Sequence, residues 1–298
     1  LGLMTPVVLV GYLALHRASV EAGAAAVGAA DDEWVLLGLL CAALTWLAAT
    51  SCQLGAIDGS VPVGRLFATQ VASSFVGHVL PAGVGQVGLN LRMLRRSGLS
   101  SEQALSAVAL NAAAGAVVHI AALLVLLAML GPPVHLVNAT LLAVIIGAMI
   151  AVGVAAAIVL TRLRDRPGAF TGRVVASLAH LRGALRRPRR ASLLFGGSIA
   201  LPALHIATLM AVLHALGQPA PAAAVAVIYL ASSAAGAFVP GPGGFGGFDV
   251  LLASALISSG LTAGLAAGTV IAYRGLTVWL PMVPSAATLV VLLRRKIV

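Results

Sequence analysis

Phe238-Val239-Pro240-Gly241-Pro242-Gly243-Gly244-Phe245-Gly246-Gly247-Phe248-Asp249 joins two apolar runs, 222–239 and 245–258, in a chain that is otherwise close to hydrocarbon. Glycine and proline in such a row leave backbone N–H and C=O groups unpaired. A bilayer interior tolerates that only where protein shields the segment or a wet cavity adjoins it. The stretch therefore reads as a site and not as a linker. Asp249 follows the glycines directly, and an ionisable group at membrane depth is a functional candidate by default.

The composition around it agrees. Of 298 residues, 60% are hydrophobic and 9% charged, with a mean hydropathy of +1.07. One soluble core cannot hide that much apolar surface, and soluble chains carry about 25% charge. The expected fold is all-α, a polytopic membrane helix bundle. The Ala/Gly/Val/Leu background suits membrane helices whose small residues let backbones approach. Residues 1–15 are apolar, with no charge before them and no small-residue cleavage site after them, and read as a first span rather than a signal peptide.

A net charge of +10 would point to nucleic acid in a soluble domain, but here position matters more than the sum, and no nucleic-acid partner is expected. Of 18 Lys and Arg, all but Arg17 and Arg274 fall in four places: Arg65, then 92–96, then 162–190, then 294–296. The positive-inside rule makes those places cytoplasmic. Glu21, Asp31, Asp32 and Glu33 cluster between the first two spans, in an outer loop. Cys41 and Cys52 share a helical face but sit about 16 Å apart along it, too far for a disulfide. With no CxxC or Cys/His cluster, neither a metal nor another cofactor is expected.

Further spans are expected at 34–56, 104–130, 135–160, 192–216 and 261–293, the last broken by Pro281 and Pro284. Between Pro81 and Arg95 only about ten apolar residues remain, a rise of about 15 Å against a hydrocarbon core of about 30 Å. Since Arg65 and 92–96 favour the same side, 63–94 reads as a hairpin with its glycine tip inside the membrane. The segment 162–190 carries apolar residues at near-helical spacing; it is either a surface helix on anionic lipid or a solvated connector.

Pro81-Ala82-Gly83-Val84-Gly85-Gln86-Val87 aligns with Pro242-Gly243-Gly244-Phe245-Gly246-Gly247-Phe248 at an offset of 161, and Ser97-Gly98-Leu99-Ser100 with Ser259-Gly260-Leu261-Thr262 at 162. Three expected spans lie between the tips, an odd number, so the two copies enter from opposite sides. The chain then reads as two inverted repeats, each of about three transmembrane helices plus a Gly/Pro-tipped re-entrant hairpin. The first is 1–134 with hairpin 63–94; the second is 135–298 with the basic segment 162–190 and hairpin 222–258. Transporters use this architecture to hold substrate at the midplane. The competing reading is chance similarity of glycine-rich strings.

Helices that start near Val84 and Phe245 aim free N–H groups and a partial positive charge inward, suiting a phosphate or carboxylate. The candidate substrate-binding residues are Pro81, Gly83, Gly85 and Gln86 at one tip, Pro242, Gly243, Gly244, Gly246 and Asp249 at the other, and Tyr273 and Arg274 in the last span. Against this stands the reading that the glycines only permit tight packing and Asp249 only compensates a helix dipole. Arg274 lies about 18 Å into its span and needs a partner there. Asp249 is the economical one, in a structural or a gating role. His78, Asp249 and Arg274 are the candidates for coupling or gating. Gln70, Asn90, Asn111, His119, His205 and Tyr229 are further polar groups at membrane depth, each most simply an interhelical hydrogen bond.

No GxSxG, HExxH or P-loop string occurs, and Asp249 stands alone as an intramembrane acid. No enzyme is expected.

Two stretches resemble the lysylphosphatidylglycerol synthase transmembrane-region family, bacterial membrane proteins that include the flippase part of the aminoacyl-phosphatidylglycerol synthases. One is Pro242-Gly243-Gly244-Phe245-Gly246 with an acid three residues on, together with Tyr273-Arg274 and Trp279-Leu280-Pro281. The other is Pro81-Ala82-Gly83-Val84-Gly85 leading to Leu91-Arg92, Arg95-Arg96 and Gly98-Leu99-Ser100. The likeness covers roughly residues 34 to 293. Family members usually have Glu where Asp249 stands, so the charge is kept and its reach shortened. No lysine-transferring soluble domain is read in these residues, so the resemblance implies lipid translocation and not aminoacyl transfer. The expectation is a flippase of the bacterial plasma membrane, with 162–190 and the C-terminus cytoplasmic, moving a membrane lipid with an anionic or zwitterionic headgroup. The alternatives are a non-transporting subunit that presents lipid to a partner synthase or glycosyltransferase, and an enzyme acting on lipid.

Overall fold

The computed structural model describes residues 21, 25, 28–79, 84–130, 186–236 and 247–298. The expected spans 1–15 and 135–160, the basic segment up to 185 and both glycine tips lie outside them. The described part is all-α, and four of its helices are long and apolar enough to cross a membrane.

Helix α1 (Asp32–Ala56) opens on Asp31, whose carboxylate accepts the Glu33 N–H at 2.9 Å; Asp32 and Glu33 in the first turn complement the helix dipole. After Pro62 come two shorter helices, α2 (Val63–Val79) and α3 (Val84–Arg96). Gly98, at φ +97°, then turns the chain into α4 (Ser101–Leu130). Ser100 caps α4 reciprocally with Gln103: the Gln103 N–H donates to the serine hydroxyl at 3.2 Å and the Ser100 N–H to the glutamine Oε1 at 2.9 Å.

The same order returns in the second half. A long helix α5 (Pro188–Ala215) is followed by the short α6 (Ala222–Gly236) and α7 (Gly247–Ser258). Gly260, at φ +107°, leads into α8 (Ala263–Arg274), capped by Thr262. The turn before α4 and the turn before α8 close with the same bonds. Leu99 N–H reaches Leu94 O at 3.2 Å and Leu261 N–H reaches Leu256 O at 3.1 Å.

One expectation needs correction. Pro281 and Pro284 do not break the last span: α8 runs through a π-helical turn, Gly275–Trp279, into α9 (Leu280–Arg294). Proline lacks an N–H and crowds the carbonyl four residues earlier. Widening the preceding turn relieves that crowding, and the Leu280 N–H bonds instead to Gly275 O, five residues back.

Helices α1 and α5 form the central pair and run antiparallel. The Asp31 N–H donates to Ala215 O at 3.0 Å at one end, Thr208 Oγ1 to Gly38 O at 3.4 Å further along, and Arg190 reaches the Gly55 and Ala56 carbonyls at 3.3 Å at the other end. Glycine permits this approach: a Cβ on Gly55 would lie 2.4 Å from Leu194 N, and one on Gly197 would lie 2.7 Å from Ala48 O. Around the pair, α9 packs on α2 and α6 packs on α4. Long apolar side chains point outward, Leu36 at 65% exposure and Val283 at 74%, as a lipid-facing surface requires. A shallow groove of about 600 Å³ between α1 and α5 is lined by Leu44, Leu47, Ser51, Gly196, Ala200 and Leu204. None of these lining residues is charged.

Apart from Asp249 and Arg274, the paired charges among the described residues sort to the ends. Arg190 pairs with Asp58 at 2.8 Å, and Arg96 bonds the Lys296 and Val298 carbonyls. Ile57, Met93, Leu94 and Leu292 share one apolar cluster beneath them. Asp31, Asp32 and Glu33 lie at the opposite end of α1.

Candidate functional site

Helices α7 and α8 together carry an ion pair. Asp249 sits in the first turn of α7, where the helix dipole favours a carboxylate. It lies twelve residues before Leu261 and Arg274 thirteen after it, so two helices folded back at that turn bring both to one depth. The pair is bidentate: Arg274 Nε donates to Asp249 Oδ1 at 2.5 Å and an Arg274 terminal nitrogen to Oδ2 at 2.9 Å. The side chains are 12% and 15% exposed, so each charge keeps an accessible edge. Planar bidentate contact is the strongest form of such a pair.

Aromatic rings back the pair. The Arg274 guanidinium carbon lies 5.1 Å from the Phe248 ring centre. Phe248 meets Tyr229 edge-on at 5.9 Å and Tyr273 at 6.0 Å. His205 of α5 stacks on Tyr229 at 5.7 Å, and its Nδ1 is 2.9 Å from the Tyr273 hydroxyl. His205 is also within electrostatic reach of Arg274 and of His78, near the end of α2.

The first hairpin is held by neutral groups. Gln70 Nε2 donates to Asn90 Oδ1 at 2.8 Å, and Asn90 Nδ2 donates to Gln86 O at 2.9 Å and to Ser73 Oγ at 3.3 Å. Trp46 of α1 donates its indole N–H to Ser74 Oγ at 2.9 Å, and His78 Nδ1 is 2.6 Å from Ser74 O. Gln70, Ser73 and Asn90 are buried, and their mutual bonds satisfy groups that lipid could not.

Of the residues expected from sequence, Asp249, Tyr273 and Arg274 are brought together, Gly85 is buried at the start of α3, and the exposed Gln86 lies over Gly77. His78 joins the first hairpin's network. Pro81, Gly83, Pro242, Gly243, Gly244 and Gly246 fall outside the described residues. The roles of Phe248 and of the His205–Tyr273 contact were not anticipated. Nor was a further match in the sequence: Pro62, Ala72-Ser73-Ser74 and Gly77 have counterparts in Pro221, Ala231-Ser232-Ser233 and Gly236, all at an offset of 159. Both glycines mark the crossing of the two limbs. A Cβ on Gly77 would meet Gln86 Nε2 at 2.5 Å, and one on Gly236 would meet Phe248 backbone at 2.6 Å.

Compared with known proteins, residues 1–285 match the family model described as lysylphosphatidylglycerol synthase TM region. No curated protein matches.

Proposed function

The chain belongs to the lysylphosphatidylglycerol synthase transmembrane-region family, and on that footing we propose that this multi-pass membrane protein is a lipid translocase and not an enzyme. It moves a phospholipid headgroup between leaflets past the two hairpins, while the acyl chains stay in the bilayer. The observation that carries the reading is two pairs of short, mutually packed helices, of 17 and 13 and of 15 and 12 residues. Limbs of 12 to 17 residues rise only about 18 to 26 Å, less than the core of about 30 Å, which supports re-entry of each hairpin.

Inversion of the two units is supported by α1 and α5. They hold corresponding places in the repeat and run antiparallel, as a two-fold axis in the membrane plane requires. The neighbours correspond as well: α9 on α2 answers α6 on α4. The units are 1–134 and 135–298. The headgroup binds beside Asp249, Tyr273 and Arg274 near the tips, and rocking of one unit against the other alternates access. The basic end of the bundle faces the cytoplasm of a bacterial plasma membrane.

Reconstitution tests this. Purified protein in liposomes is expected to accelerate leaflet exchange of at least one acyl-labelled phospholipid, read as the fraction quenched by an external reductant, and Arg274→Ala is expected to slow it. No acceleration for a panel of anionic and zwitterionic lipids overturns translocation and leaves the reading of a subunit that presents lipid to a synthase or glycosyltransferase.

A further inference from the structure

We propose that the exposed face of α3 is a binding site for an anionic phospholipid, its phosphate held by Arg92 and Arg95 and an acyl chain lying along Val84 and Val87. The site shares no residue with the Asp249–Arg274 pair, and it stands whether or not the protein translocates lipid.

Helix α3 is two-sided. Gly85, Asn90, Met93 and Leu94 are buried, while Val84, Val87, Gly88, Arg92 and Arg95 are exposed. Arg92 and Arg95 stand three residues apart, so their Cβ atoms are neighbours about 5–6 Å apart. Two guanidinium forks at that spacing can close on one phosphate. Gly88 lies one turn before Arg92, and a Cβ there would meet nothing within 4 Å, so the surface is open where a glycerol backbone would pass. Val84 starts the helix, about 12 Å before Arg92, within the half-thickness of about 15 Å that the chains of one leaflet fill. Base, gap and apolar stretch thus follow in the order in which a phospholipid presents phosphate, glycerol and chain.

The other half of the molecule shows that such a helix does not need these bases. At the offset of 162 that relates Ser97-Gly98 to Ser259-Gly260, the residues Gly88, Arg92, Arg95 and Arg96 answer to Val250, Ser254, Ile257 and Ser258 of α7. Those four are exposed as well, but their face is neutral: Ser254 and Ser258 turn their hydroxyls back to the Val250 and Ser254 carbonyls at 2.7 and 2.9 Å. Around α3 the charge accumulates instead. Arg96 bonds the Lys296 and Val298 carbonyls and so seats the end of α9 beside it, which brings the exposed Arg294, Arg295 and Lys296 to the same end. The acids there, among the described residues, are Asp58, already held by Arg187 and Arg190, and Glu102 in the first turn of α4. The complement of that field is an anion. The exposed Val290, Val291 and Leu293 that precede the bases of α9, like Val84 and Val87 on α3, make it an anion with apolar chains.

The test is of binding and not of transport. The purified full chain in neutral detergent is titrated with dioctanoyl-phosphatidylglycerol and, separately, with dioctanoyl-phosphatidylcholine, and the shift in unfolding midpoint is read. The unaltered protein is expected to bind phosphatidylglycerol saturably and about tenfold more tightly, about 1.4 kcal/mol, and raised salt should shrink that preference. Arg92→Gln and Arg95→Gln made together should abolish it with the lipid-free midpoint unchanged, whereas Arg92→Lys with Arg95→Lys should keep the larger part. No preference in the unaltered protein overturns the proposal, as does a preference that survives the paired glutamine substitutions or one that is lost in Arg274→Gln instead. Equal protection by water-soluble glycerophosphoglycerol would assign the face to a free phosphate ester and overturn the lipid. Since no leaflet exchange is measured, failure here leaves translocation standing, and failure of exchange leaves this site standing.

Discussion

The helix pairs α2–α3 and α6–α7 share sequence landmarks and differ in what packs between them. Each starts after a proline, carries Ala-Ser-Ser, and crosses at a glycine three residues later. In the first, amides and hydroxyls close the crossing: Gln70, Ser73, Gln86 and Asn90 satisfy one another, and Trp46 ties them to α1. In the second, the place of Gln70 is taken by Tyr229 and that of Gln86 by Phe248, and an ion pair supplies the polarity. Neutral bonds of this kind fix a geometry and ask nothing of a ligand. A partly accessible ion pair can trade partners. One crossing is closed by neutral hydrogen bonds, and the other is backed by an ion pair.

Breaking the ion pair should have the largest effect. Arg274→Ala leaves Asp249 without its guanidinium and is expected to cost about 3 kcal/mol, read as a lowered unfolding midpoint in detergent, together with loss of lipid exchange. A midpoint within error of the unaltered protein would mean the pair contributes nothing to the fold. Next come the two glycines. Gly236→Ala drives a methyl against the Phe248 backbone, which cannot yield, and is expected to cost about 1–3 kcal/mol. Gly77→Ala meets only the flexible, exposed Gln86 side chain and should cost less than about 1 kcal/mol. Equal costs at the two crossings would erase the distinction between them.

Asn90→Ala should cost about 1 kcal/mol, because it leaves the Gln70 amide buried without its acceptor. The serines give the smallest contrast. Ser73 receives the Asn90 amide, but Ser232 is fully buried and its hydroxyl has no partner among the described residues. Ser73→Ala is expected to lower stability by about 0.6 kcal/mol, whereas Ser232→Ala should leave the midpoint unchanged or raise it. A loss at Ser232 as large as at Ser73 would show that the two crossings are sealed alike.

Much of this was legible in the sequence for physical reasons. A long window without charge has one economical fate, so the spans at 34–56, 104–130, 192–216 and 261–293 emerged within a few residues of α1, α4, α5 and the α8–α9 helix. Two opposite charges at one depth in hydrocarbon must find each other, so Asp249 and Arg274 could be paired before any coordinates. The aromatic cluster could not. Whether His205 meets Tyr273 or lipid depends on how α5 crosses α8, and periodicity carries no record of a crossing. The best-matching strings were hidden by a change of register: the offset is 159 as far as Gly236 and 162 from Ser259 onward. Alignment on the glycine strings alone averages the two. The π turn was illegible because proline signals a disturbance without saying whether the helix will break or widen.

That widened turn has a mechanical consequence. Arg274 ends the part of the last helix that belongs to the second hairpin's cluster, and Leu280 begins the part that lies along the first. One surplus residue lies between them: closing the turn to α-helical pitch would change the azimuth of everything beyond by tens of degrees at the loss of only a bond or two.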